Sequence, residues 1–315
     1  MKKIVTLGEI LVELMAEEPG QGFREPLRLV GPYPSGAPAI FIDQVAKLGQ
    51  PCGMISCVGD DDFGWLNIER LRGDGVDVSA IRVHPDQVTG SAFVRYRPDG
   101  ERDFVFNIKH SASGHTALTD AAIDLLGDCS HFHVMGSSLA SARVIGEIKR
   151  AIVMVKAKGG TVSFDPNVRK EMLALPEMRA ALEFMLRSCD LFLPSGSELT
   201  LLTEACTEEA AIHEVLSFGV SAIVVKHGAQ GATYHDASGD VHIAAFPARE
   251  VDPTGAGDCF GATFVTCRAQ GRGVVESLRY ANASGALAVG VRGPMEGTST
   301  FAELDALISA AGARP

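Results

Sequence analysis

Short apolar runs rich in β-branched residues recur along the chain at 4–7, 53–58, 131–135, 161–164, 191–193 and 222–225, and each reads as a strand. Between them, apolar residues return every three to four positions over 39–48, 63–72, 142–156, 177–186 and 208–218, the spacing of one helix face. Strands alternating with helices predict a mostly parallel sheet covered on both faces. Segments 91–97 and 103–108 depart from this rule. They alternate apolar and polar positions on either side of Pro98-Asp99-Gly100, so they read as a hairpin, and a hairpin inserted in an α/β sheet needs something to cover. From 256 to about 270 the chain is apolar nearly all round and reads as a buried helix.

The start of that last helix carries the sharpest chemical signal. Asp252-Pro253-Thr254-Gly255-Ala256-Gly257-Asp258 puts a carboxylate immediately behind a glycine-spaced turn. Gly255 and Gly257 leave the first backbone N–H groups uncovered, and with the positive end of the helix dipole these suit a phosphate or a developing oxyanion. The first turn is also where an acid is favoured on structural grounds alone, so Asp258 by itself leaves both readings open. In an open α/β sheet, ligands collect beyond the C-terminal ends of the parallel strands. Gly36 and Ala37 precede one helix, Asp165 and Asn167 follow a strand, Ser195 and Glu198 follow the next, and Gly228 follows another. Singly these have bland readings: Asp165-Pro166-Asn167 is a good turn, Ser195 a good N-cap and Gly228 to Gly231 a hairpin bend. Their convergence on one end of the sheet favours a single site.

Composition narrows the function. With 315 residues, 46% of them hydrophobic, the chain can bury one large core and reads as a single domain over 1–315. The net charge of −11 argues against a nucleic-acid partner, because binding a phosphate backbone rests on basic neutralisation. Seven cysteines occur without a Cys-x-x-Cys pair, and no apolar leader follows Lys2 and Lys3, which points to a reduced, cytoplasmic protein without cysteine-bound metal. The apolar runs are too short for a membrane span. His110, His115, His131, His133 and His227 have no coordination spacing; His131 and His133 read as same-face polar groups at a sheet end, and Trp65 as helix packing.

In order along the chain, these motifs resemble the signatures of the ribokinase/PfkB family of sugar kinases. The 252–258 segment is similar to the family's Asp-Thr-x-Gly-Ala-Gly-Asp. Gly8-Glu9-Ile10-Leu11-Val12-Glu13 resembles its first strand, and Ser35-Gly36-Ala37-Pro38-Ala39 its sugar-binding turn. Val58-Gly59-Asp60-Asp61-Asp62-Phe63-Gly64 resembles the opening of the next helix and Leu71-Arg72-Gly73-Asp74-Gly75-Val76-Asp77 its end. Asp165-Pro166-Asn167-Val168-Arg169, Pro194-Ser195-Gly196-Ser197-Glu198, Val225-Lys226-His227-Gly228-Ala229-Gln230-Gly231 and Ala281-Asn282-Ala283 extend the likeness over nearly the whole chain. The resemblance implies a ribokinase-like α/β fold: a central, mostly parallel sheet with helices on both faces plus a small β lid, inserted at about 12–34 and 91–110. The lid is expected to close on the sugar and to form a homodimer contact. Four positions depart from the family pattern: Ser195 in place of Asn, Glu13 in place of Asp, Ile40 in place of the Asn after the first turn, and Thr263 in place of a small residue.

The same resemblance implies transfer of the γ-phosphoryl group of ATP to a sugar hydroxyl. Asp258 inherits the role of base, and the N–H groups of Gly255, Ala256 and Gly257 that of an anion hole. Glu198 is expected to hold Mg2+ through water, because magnesium dehydrates reluctantly. Lys226, Gly228 and Gly231 are expected along the nucleotide and Asn282 near the adenine. Thr254 either touches a phosphate or only shapes the turn. Asp252 is the implied ligand where relatives bind a monovalent cation such as K+. Glu13, Gly36, Ala37, Asn167 and Arg169 are expected to meet the sugar, with Asp258 also touching the reactive hydroxyl.

The opening Gly-Glu-x-Leu-x-Glu and the Asp-Pro-Asn-x-Arg resemble the fructokinase and 2-keto-3-deoxygluconate kinase branches more than adenosine kinase. A sugar acid would need a cation, which Arg169 or Lys109 can supply. The segment Phe106-Asn107-Ile108-Lys109-His110-Ser111-Ala112 lacks the Arg that sugar-acid branches tend to carry there, so a neutral ketohexose such as fructose or tagatose is favoured. A nucleoside kinase would need an aromatic slot, for which four Tyr and one Trp offer little. A non-catalytic sugar-binding regulator on the same fold is opposed by the intact Gly255-Ala256-Gly257-Asp258.

Overall fold

A computed structural model describes residues 2–97, 102–108, 110–139, 141–167 and 176–312. The strands are β1 (Lys3–Leu7), β2 (Leu11–Ala16), β3 (Leu29–Ser35), β4 (Cys52–Gly59), β5 (Ile81–His84), β6 (Gly90–Tyr96), β7 (Arg102–Asn107), β8 (Cys129–Met135), β9 (Thr161–Asp165), β10 (Leu191–Phe192), β11 (Ala222–Lys226), β12 (Ala232–Asp236) and β13 (Gly239–Ile243). The helices are α1 (Ala37–Lys47), α2 (Asp62–Asp74), α3 (Asp120–Gly127), α4 (Ala142–Ala157), α5 (Pro176–Ser188), α6 (Gly196–Leu201), α7 (Glu208–Ser217), α8 (Ala256–Ala269), α9 (Val274–Ala288) and α10 (Phe301–Gly312).

A nine-stranded sheet runs β13-β12-β11-β10-β9-β8-β1-β4-β5. Its pairings from β5 across to β11 are parallel, as the strand–helix alternation predicts, while β11–β12 and β12–β13 are antiparallel. That antiparallel edge is absent from the apolar pattern and depends on a glycine. At Gly231, with φ of 102°, a Cβ would lie 2.1 Å from the Ile243 carbonyl oxygen, so only glycine lets the chain turn back this closely.

Side-chain alternation along the strands splits the core in two. Val5, Leu7, Phe132 and Phe164 face α3, α4, α5 and α7, while Ile4, Met54, Val58 and Val224 face α1, α2, α8 and α9. α2 begins where Asp61 accepts a hydrogen bond from the Gly64 N–H and ends at Gly75 with φ of 102°. α8 is buried along nearly its whole length, as its unbroken apolar sequence predicts.

The second sheet has four strands in the order β3-β2-β6-β7. The hairpin read from sequence is β6 paired antiparallel with β7, from Ser91 opposite Asn107 to Tyr96 opposite Arg102; its expected turn at 98–100 lies outside the described residues. Glu13 belongs to β2 of this sheet and not to the first strand of the large one, because the chain leaves β1 at Leu7 and crosses over at 8–10.

Two readings of side chains change. Trp65 is 42% exposed and its Nε1 donates to Asp60 Oδ1, so it does not pack a helix into the core. His131 and His133 share a face as predicted, each within 2.7 Å of Ser163 Oγ. They lie within the sheet layer and not at its end: His133 is fully buried and stacks on Phe41 of α1, with ring centroids 3.6 Å apart. Burial pushes His131 down to about 4 and His133 well below the usual histidine range, so both are neutral. Among the described residues all seven cysteines are free, and no helix is long and apolar enough to cross a membrane.

Candidate active site

A cavity of about 780 Å3 lies where the C-terminal ends of β1, β9, β10 and β11 meet the four-stranded sheet. Its floor is polar because each of those strands runs into a polar residue: Glu9 after β1, Asn167 after β9, Ser195 and Glu198 after β10, and Lys226 closing β11.

One end is the loop before α8. Asp252 is fully buried and organises it: Oδ1 accepts from the Thr254 N–H at 3.0 Å and from Thr254 Oγ1 at 2.7 Å, and Oδ2 accepts from the Gly293 N–H at 3.1 Å. Gly255 caps α8 with φ of 83°, and a Cβ there would sit 2.4 Å from the Pro294 carbonyl oxygen. At Gly257 a Cβ would meet nothing nearer than Lys226 Nζ at 3.6 Å. The first glycine therefore shapes the loop, and the second keeps open a space beside a cation.

Asp258, in the first turn of α8, is buried and lines the cavity. Burial raises its carboxyl well above the usual range, Asp165 adds to the rise, and Lys226 opposes it; Glu9 and Glu13 raise it further. Lys226 Nζ pairs with Asp165 Oδ2 at 2.5 Å. Burial alone would lower the Lys226 ammonium, but Asp165 and Glu198 outweigh it, and the lysine stays charged. Burial likewise pushes the Asp165 carboxyl up against the pull of Lys226. Carboxylates so gathered around one ammonium hold a proton readily and attract cations.

The other end is built from separated segments. Ser35 Oγ donates to Glu13 Oε1 at 2.8 Å, and Gly36, with φ of 112°, lets the chain pass where a Cβ would be 2.6 Å from the Glu9 carbonyl oxygen. Asn167 is the non-glycine residue with positive φ among the described residues, at 39°, a conformation asparagine tolerates. Arg102 of β7 reaches across the cavity mouth, and its Nη1 donates to Thr254 Oγ1 at 2.6 Å.

Of the residues expected from sequence, Asp258, Gly255, Gly257, Thr254, Lys226, Glu198, Glu13, Gly36, Ala37 and Asn167 line this one cavity. Ala256 lies between two of them, and Asp252 lies behind the loop. Gly228 and Gly231 sit at the bend joining β11 to β12, outside the cavity lining. Asn282 is also outside it: its Nδ2 donates to the Ile243 and Ala244 carbonyls at 2.9 and 3.2 Å. Arg169 and Lys109 fall outside the described residues. Glu9, Arg102 and Ser137 line the cavity without having been singled out. Glu9 stands inside a quoted motif and was within reach of sequence reasoning, whereas Arg102 meets its partner across 152 positions. Among the described residues no group of three or more His, Cys, Asp or Glu is arranged to hold a metal ion. One oxygen of Glu198 accepts from the Ser195 N–H at 2.7 Å, closing a capping box at the start of α6.

The sequence profile of the pfkB family carbohydrate kinases matches residues 1–300. A 2-dehydro-3-deoxygluconokinase of Thermoproteus tenax is 32% identical over 98% of this chain and 95% of its own length. An E. coli protein provisionally designated ribokinase II, solved in complex with ATP and Mg2+, is 53% identical and superposes with a TM-score of 0.95 over 98% of this chain and 100% of that one. A double mutant of the Vibrio cholerae O395 fructokinase, solved with fructose, ADP and a potassium ion, is 26% identical with a TM-score of 0.83, over 98% of each chain.

Proposed function

Because the chain belongs to the pfkB family of carbohydrate kinases and so is an ATP-dependent sugar phosphotransferase, we propose that it phosphorylates a hydroxyl of a neutral ketohexose of the fructose or tagatose type, with Asp258 as general base. The observation that carries this reading is the pairing of a buried carboxylate with a helix N-terminus in one cavity: Asp258 beside the uncapped first turn of α8 at Gly255 and Gly257. A sugar hydroxyl is a poor nucleophile at neutral pH. Asp258 accepts its proton as the oxygen attacks, a contribution of roughly 10²–10⁴-fold. The N–H groups of 255–257 and the dipole of α8 meet the negative charge on the transferring phosphoryl oxygens. Lys226, held by Asp165 beside Gly257, adds a fixed positive charge, and Thr254 orients the loop.

Magnesium fits Glu198 through water, since the described carboxylates form no direct cage and magnesium commonly binds through one or two carboxylates plus substrate phosphates. When bound it neutralises phosphate charge. Asp252, a buried carboxylate whose Oδ2 accepts one N–H, is the proposed ligand of a monovalent cation such as potassium. Gly228, Gly231 and Asn282 flank the proposed nucleotide path. Glu13, Gly36, Ala37 and Asn167 bind the sugar, with Arg169 assigned to the same role. The single kinase domain spans 1–315, and its four-stranded sheet acts as the lid. The exposed Val105 and Phe106 of β7 suit a homodimer contact, which sedimentation would test. ATP dependence and free cysteines suit a cytoplasmic enzyme.

A second reading, phosphorylation of a sugar acid, is favoured by Arg102, a cation in the cavity that the sequence argument for a neutral sugar did not include. ADP formation across ketoses, aldoses, 2-keto-3-deoxygluconate and adenosine decides between them. Fructose or tagatose should be used best, and Arg102→Gln should cost neutral sugars about tenfold, the scale of one hydrogen bond. Preference for the acid, with a loss of about 10²-fold on the acid alone in Arg102→Gln, would overturn the ketohexose assignment.

A further inference from the structure

The sugar end of the cavity holds a pair of groups that the reaction itself does not use. Glu9 follows β1, is 5% exposed, and accepts a hydrogen bond from Ser138 Oγ at 2.5 Å through Oε2. Ser137 follows β8, and its buried hydroxyl lies against the Glu9 carboxyl, where together with Ser138 it opposes the rise that burial causes. Both line the main cavity, and both line a neighbouring recess of about 20 Å3 whose other polar walls are Ser113, Ser138 and Ser141. A recess of that size takes about one water molecule and no larger group, so it closes the back of the site.

The pair is rigidly placed. A Cβ on Gly8 would lie 2.1 Å from Ser138 Oγ, and one on Gly136 would lie 1.7 Å from the Pro166 carbonyl oxygen, so two glycines press the β1 and β8 loops against their neighbours. A carboxyl buried beside two serine hydroxyls keeps acceptor capacity for a further donor, which a ligand hydroxyl can supply. Leu11 and Ile40, which also line the cavity, are apolar and offer a ligand hydroxyl nothing.

We propose that Glu9 and Ser137 form a hydroxyl-reading subsite for a neutral polyol, with Glu9 accepting a hydrogen bond from one sugar hydroxyl, Ser137 pairing with the same or the adjacent hydroxyl, and Ser138 positioning Glu9. The subsite selects against a carboxylate at this end, because its described polar walls, Glu9, Glu13, Ser137 and Ser138, include no cation to pair with it. This inference rests on the sugar-kinase reading of the cavity and determines which hydroxyl pattern is accepted, not which group is the base.

The test uses the intact enzyme and whichever sugar the wild type turns over best, together with its monodeoxy analogues. Ser137→Ala removes one hydroxyl, and Glu9→Gln keeps an oxygen for the Ser138 bond, so both variants should melt close to wild type. Each should raise the KM for the parent sugar about five- to tenfold, with kcat within about threefold and the KM for ATP unchanged. Each variant should match the wild type on the monodeoxy analogue that lacks the hydroxyl its residue reads. An unchanged sugar KM in either variant, an equal loss on every analogue, or a fall in kcat alone would overturn the subsite. Full turnover in Asp258→Asn would remove the proposed base yet leave this KM pattern intact, so the two failures are distinguishable.

Discussion

Around 252–258 the cavity is lined by one loop carrying two glycines, whereas at Glu9, Glu13 and Ser137 it is lined by residues drawn from the loop after β1, from β2 and from the loop after β8. The phosphoryl end needs N–H groups aimed at one point. A single turn supplies them, because the Asp252 carboxylate ties Thr254 to Gly293 and Gly255 adopts a conformation closed to other residues. The sugar end needs particular donors and acceptors at particular distances, which main chain alone does not provide. A phosphate is the same in every substrate of such an enzyme, while the sugar varies, so the invariant task is met by backbone and the variable one by side chains that substitution can change.

The strongest way to break this contrast is Asp258→Asn, which removes the proposed base from the phosphoryl end. kcat should fall by about 10²-fold or more with sugar and ATP binding kept. The fold should respond in the opposite sense. Burial raises the Asp258 carboxyl well above its ordinary value of 3.8, so the folded state holds that proton more tightly than the unfolded chain. The stabilising effect of the protonated group is fully present below the ordinary value and is lost as pH rises towards the raised one. Asp258→Asn should therefore melt above wild type at neutral pH, with a gap that closes on acidification below about 4. A variant that melts lower at pH 7 would contradict the burial argument, and normal turnover would remove the base.

The two glycines sharpen the contrast within the loop. Gly255→Ala forces a Cβ against the Pro294 carbonyl at positive φ, and should cost about 1–3 kcal/mol of stability together with activity. Gly257→Val has room to be accommodated and should melt like wild type while kcat/KM falls about tenfold, because it fills the space beside Lys226. Equal effects on melting would mean that backbone shape, and not the phosphate cradle, explains both residues.

Glu198→Gln should raise the magnesium concentration needed for half-maximal rate severalfold, with modest change in the sugar KM. An unaltered magnesium titration would move the metal elsewhere. The smallest effect should come from Asn282→Ala. Its amide ties α9 to the chain after β13, so the loss should be about 1 kcal/mol of stability, read by denaturant titration. A severalfold rise in the KM for ATP would instead show that the residue also serves the adenine.

The parallel sheet, the α/β order and the loop before α8 were legible because each depends on residues close in sequence: apolar runs with a period of two or near four, and glycines one residue apart ahead of an apolar helix. The strands β12 and β13 were not, since their polar, half-exposed residues carry little periodic signal and their turn depends on the space left at Gly231. The misreading of Trp65 has a related cause: an aromatic residue on a helix packs inward only if the neighbouring element covers it, and α2 leaves that position open. Arg102 was missed because a cation on β7 acquires meaning only from the Thr254 it reaches.

The sequence by itself determined the architecture and the glycine-spaced loop that opens α8, because local backbone geometry and hydrophobic period are properties of neighbouring residues. Tertiary structure alone decided which acids share a cavity: Glu9, Glu13, Asp165, Glu198 and Asp258 come from distant segments. The burial of Asp165, Glu198 and Asp258 around Lys226, and hence the raised carboxyl of Asp258, depends on desolvation and distance, quantities that exist only once the chain has folded.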